Sequence, residues 1–101
     1  MSNSESVKAD EILKIAEQVL TKRGQLRDLP QGERSMPEIV KLFAQLSGVE
    51  LTVSEGYTFM MALKLVRLKR KPLFDDFIDL INYTALRGED LLANLPPDAS
   101  A

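Results

Sequence analysis

The sequence predicts an all-α fold, a compact bundle of three to four helices, and three observations carry that prediction. Apolar residues recur at the helical period of about 3.6 in four separate segments. No run alternates with the two-residue period of a half-buried strand. Gly24, Gly48, Pro72 and the pair Pro96-Pro97 punctuate the chain at helix-length intervals. With 101 residues, 45% hydrophobic and 28% charged, the chain has the size and composition of one globular domain with one core. A domain this small buries a low fraction of its surface, and a homo-oligomer relieves that limit.

The elements follow in order. Residues 1–6 are small and polar and are expected to form a disordered tail ahead of a domain spanning residues 7–93. From Val7 to Arg23 the apolar positions Ile12, Leu13, Ile15, Ala16, Val19 and Leu20 keep helical spacing, and Gly24 offers a stop. Residues 25–35 carry Pro, Gly and many charges without periodicity, which predicts a long loop. Ser35-Met36-Pro37-Glu38 has the form of a capping box and opens a short amphipathic helix that ends at Gly48. Thr52-Val53-Ser54-Glu55 is a second capping box, opening a helix that runs to about Arg70, where Pro72 forces a break. That third helix is apolar nearly all round from Phe59 to Leu63 and is expected at the centre. The fourth begins near Phe74 and is expected to bury Phe77, Ile78, Ile81 and Ala85. Gly88 weakens it, and residues 94–101 read as a flexible tail.

Composition excludes much chemistry. Cysteine and histidine are both absent, which removes disulfides, thiolate nucleophiles, histidine acid–base catalysis and Cys- or His-ligated metals. Any metal here is oxygen-ligated, hence Mg²⁺, Mn²⁺ or Ca²⁺. There is no glycine-rich phosphate loop and no nucleophile elbow, and no serine has a histidine to activate it. Four of the five residues Arg67–Lys71 are basic, but the net charge is −2 and no aromatics interleave them, which disfavours nucleic-acid binding. No signal segment or long apolar run is present, so no membrane association is expected and the cytoplasm is the expected compartment.

The chemistry-bearing pattern is a set of charges inside otherwise apolar segments. Lys64 and Arg67 share a face of the third helix, and Asp75, Asp76, Asp79 and Tyr83 lie at i+3 or i+4 spacing on the fourth. A short connection makes the two helices antiparallel neighbours, so the basic and acidic stripes meet near the turn. Burying a charge costs several kcal/mol unless it is paired or holds an ion, by order of magnitude. The group is therefore either a structural ion network or a binding site. Lys69, Arg70, Lys71, Asp75 and Asp76 also suit the dipoles of the helix ends they occupy.

These residues carry a resemblance. Arg23-Gly24, Arg27-Asp28-Leu29-Pro30, Gly32-Glu33-Arg34-Ser35-Met36, Phe43, Glu55-Gly56-Tyr57, Phe59-Met60, Leu63-Lys64, Arg67, Asp75-Asp76, Asp79 and Tyr83 together resemble a phage- and prophage-borne family of unknown function, over about residues 10–90. That family is distantly similar to the MazG-like, all-α nucleoside triphosphate pyrophosphohydrolases, which are oligomeric and hold Mg²⁺ with acidic pairs. The resemblance implies that Asp76-x-x-Asp79 stands for the second pair; the first, Glu-x-x-Glu, has no counterpart in the second or third helix.

On a nucleotide-handling reading, Mg²⁺ sits at Asp75, Asp76 and Asp79, with Glu38 or Glu55 from a neighbouring helix or subunit. Lys64, Arg67, Arg27, Arg34 and Tyr83 then face the nucleotide. The alternative is a non-catalytic phage accessory protein in the host cytoplasm, binding a host protein or a signalling nucleotide, with the charged cluster purely structural. No catalytic residue is singled out. The discriminating feature is whether the aspartate oxygens are reachable or already occupied by Lys64, Arg67 or Tyr83.

Overall fold

A computed structural model describes residues 6–26 and 34–96. Arg27 and the rest of the charged segment through residue 33 lie outside the described residues, as do residues 1–5 and 97–101 of the two expected tails. Four α-helices are present, and no strand occurs among the described residues: α1 (Ala9–Leu26), α2 (Met36–Ser47), α3 (Val53–Arg70) and α4 (Phe74–Ala93).

Local chemistry sets most of the helix ends. Thr52 forms the expected capping box: its Oγ1 accepts from the Glu55 N–H at 3.0 Å, and the Glu55 carboxylate accepts the Thr52 N–H at 2.8 Å. Gly48 closes α2 at φ 78°, donating its N–H to the Ala44 carbonyl at 2.8 Å. A left-handed position of this kind favours glycine because it has no Cβ. Pro72 separates α3 from α4. Two expectations are corrected. Ser35 has helical backbone angles and its side chain makes no cap hydrogen bond, so the box with Glu38 does not form. α1 does not stop at Gly24 but runs through it to Leu26, with Gly24 buried. A glycine costs a helix interior only about 1 kcal/mol relative to alanine, less than a packed face returns.

α4 packs against both α1 and α3, α2 packs on α3, and Arg23 of α1 and Lys64 of α3 meet the same Asp79 of α4. Lys64 pairs with Asp76 and Asp79 near the connecting turn, and Tyr57 packs with Leu86 far from it, so α3 and α4 are antiparallel. Met36, Tyr57 and Leu86 make the core, with Leu20, Val40, Val53, Met60 and Tyr83 against them. α2 comes close to α3 at Gly56. A Cβ added there would meet the Met36 sulfur and lie 2.9 Å from a Val40 methyl.

α3 is central as expected, but it shares that place with α4, since each touches two helices; its apolar stretch is not enclosed, for Phe59 and Leu63 are exposed. The buried set of α4 also differs from expectation. Ile78 is buried and Ile81 half-buried, but Phe77 and Ala85 are exposed, and Asp76, Asn82 and Leu86 are buried instead. Asn82 and Leu86 take the places of Ile81 and Ala85, a rotation of about 100°, one residue's worth of helix. The cause is electrostatic: Asp76 and Asp79 turn inward to meet Lys64, and the rest of the helix follows. No helix among the described residues is long and apolar enough to cross a membrane.

Candidate ligand-binding site

The charged residues of α3 and α4 meet as an ion network. Lys64 is almost wholly buried; its ammonium is 2.9 Å from Asp79 Oδ2 and 3.5 Å from Asp76 Oδ1. Arg67 Nε lies 3.3 Å from the same Asp76 oxygen. From α1, Arg23 Nη2 donates to Asp79 Oδ1 at 2.9 Å. Three cations thus surround two carboxylates, of which Asp76 is the more deeply buried, with a side chain only 4% exposed. Removing such groups from water costs several kcal/mol per ion, and close pairing offsets it.

Sequence reasoning placed other residues near this group, and the structure separates them. Glu55 caps the opposite end of α3, its carboxylate accepting the Thr52 N–H. Glu38 is exposed on α2. Arg34 makes a two-pronged contact with Glu89, at 3.0 and 3.2 Å, tying the residue ahead of α2 to the later half of α4. Such forked arginine–carboxylate pairs hold geometry well. Asp75 is exposed, yet it lines a cavity of about 340 Å³ shared with Arg23, Lys64, Arg67, Asp76 and Asp79. Tyr83 is half-buried and faces a different space.

That second space is a cleft of about 500 Å³, within the size range of small-molecule sites. α1 and α2 do not pack on one another, and the cleft occupies the gap between them, reaching α3 and α4. Leu20, Met36, Ile39 and Leu86 make its apolar walls; Arg23, Ser35, Tyr57, Asp79, Asn82 and Tyr83 bring polar groups. The Arg23–Asp79 pair lines both cavities and forms the wall they share.

Asn82 is the residue that composition and motif reasoning passed over. It is buried, and its Nδ2 has no hydrogen-bond partner. An unsatisfied buried amide costs about 1–3 kcal/mol. A signal for it existed: Asp76, Asp79, Tyr83 and Leu86 keep 3-4-3 spacing, and Asn82 falls on the same side of the helix. Arg23 went unnoticed as a site residue because its partner lies 56 residues away. Comparison with protein-family models, with curated proteins and with solved structures gives no match in any of the three.

Proposed function

We propose that the protein is a non-catalytic binding protein whose cleft takes a nucleotide-like ligand, a planar base carrying an anionic tail. The single observation that carries this reading is Asn82, a buried amide with an unpartnered donor in the wall of a 500 Å³ cleft. A turn of the amide about its terminal torsion offers that donor to a ligand carbonyl and recovers the lost hydrogen bond. Tyr57 and Tyr83 supply aromatic surface for a base, and the half-exposed Arg23 supplies charge for the tail. Of a host protein and a signalling nucleotide, the two partners open to a non-catalytic accessory protein, a cleft of this size suits the nucleotide.

The non-catalytic part of the proposal rests on the occupied carboxylates. A divalent ion at Asp76 and Asp79 has to displace Lys64, Arg67 and Arg23 from contacts of 2.9 to 3.5 Å. One observation favours the second reading, Mg²⁺-dependent hydrolysis of a nucleoside triphosphate: Asp75 is exposed and lines the same cavity as the other two aspartates.

A thermal-shift titration with nucleoside mono-, di-, tri- and cyclic phosphates, each with Mg²⁺ and with a chelator, tests both. Ligand that binds only the folded state raises the melting temperature. A Mg²⁺-independent rise without pyrophosphate release, absent in Asn82→Leu, is the expected result. A Mg²⁺-dependent rise with pyrophosphate release replaces it with the hydrolase reading, and a flat panel ends both.

A further inference from the structure

One side of α4 carries no charged residue from end to end, and its large side chains are apolar. At its start Phe74 and Phe77 keep 44% and 45% of their surface exposed; at its end Leu91 and Leu92 keep 40% and 69%. Between them lie half-buried Ile81 and the small exposed residues Thr84 and Ala85, then Gly88. The charged residues of α4 (Asp75, Asp76, Asp79, Arg87, Glu89 and Asp90) all fall elsewhere around the helix, although the chain is 28% charged. Gly88 adds a second oddity. It sits inside a helix that runs on to Ala93, where a glycine costs about 1 kcal/mol relative to alanine. Yet a Cβ added at Gly88 would meet nothing in the single chain.

We propose that this face is the seat of a second copy of the same chain, its α4 laid antiparallel about a two-fold axis beside the Ile81–Ala85 turn. The argument for a copy rather than another partner is the order of sizes along the helix. An antiparallel copy sets the Phe74 and Phe77 end of one α4 against the Leu91 and Leu92 end of the other. The small residues fall at the centre, where two helix backbones must come nearest. Phe77 of each copy then enters the notch left by Gly88 of the other, which gives the glycine the use that it lacks in one chain. A two-fold contact of this kind is self-complementary by construction. Four large apolar side chains of the stripe, each at least 40% exposed, are the surface that such a contact takes out of water.

Analytical ultracentrifugation of the full chain at 100 µM gives the first readout, with twice the 11.3 kDa chain mass expected. Gly88→Leu fills the notch while improving helix propensity, so it should sediment as a helical monomer. Because the chain has no cysteine, Thr84→Cys should form a disulfide-linked dimer under mild oxidant without background. Leu46→Cys, on the exposed apolar side of α2, should remain unlinked. A monomeric wild type overturns the proposal. So does a dimer that survives Gly88→Leu, or one that cross-links through Leu46→Cys and not Thr84→Cys.

Discussion

Asp76 and Arg67 touch one another but live in different solvents. The Asp76 side chain is only 4% exposed and faces the Lys64 ammonium as well, whereas Arg67 is half in water. Truncating the aspartate leaves a buried lysine with Asp79 alone, and broken buried pairs cost about 3–5 kcal/mol. Truncating the arginine removes a solvent-screened contact, worth under about 1 kcal/mol. In urea unfolding, Asp76→Ala should therefore lose several times the stability that Arg67→Ala loses; equal losses would contradict the burial described here. At this scale the sequence was a good guide to which charges matter and a poor one to their pairing. Lys64, Arg67 and Asp79 were legible because charges interrupt apolar helix faces at helical spacing, whereas Asp76 suited a surface place by the helix dipole and is buried in the network, and Asp75 is exposed outside it. Arg23 and Asn82 were not, since one acts across 56 residues and the other is defined by a missing partner.

Helices show the same division between local and distant causes. The capping box at Thr52 and the left-handed Gly48 are written in four or five consecutive residues, and both formed. Ser35-x-x-Glu38 has the same letters without the bonds, because the backbone at Ser35 is already helical. The facing of α4 needed knowledge of α3: an apolar stripe and a polar stripe compete for the interior, and Lys64 decides for the polar one. Helix packing also fixes the most sensitive small residue. Gly56 is where α2 seats on α3, and Gly56→Ala drives a methyl into Met36 and Val40. Overpacking of this sort costs about 1–3 kcal/mol, so the chemical denaturation midpoint should fall even though alanine favours helix.

The molecule as a whole is four helices packed together around a slight interior: Ala16, Met36, Tyr57, Ile78 and Leu86 are its buried apolar side chains among the described residues, and none is fully sealed. Many large apolar side chains stay outside that interior, Leu46, Phe59 and Leu92 among them. If the outer face of α4 seats a second copy, folding and association are linked, and the melting temperature should rise between 1 and 100 µM protein. A melting temperature independent of concentration would separate the two processes. The wall shared by the two cavities has a further consequence. Arg23 and Asp79 form it, joined at 2.9 Å. If the larger cavity takes an anion, one that draws Arg23 toward itself would leave Asp79 to Lys64, 2.9 Å away. Filling the larger chamber is then felt in the smaller as a change of charge balance. By reciprocity, whatever loosens that pair from the smaller side alters affinity in the larger by the same factor. On the binding reading, one ion pair would couple the two spaces.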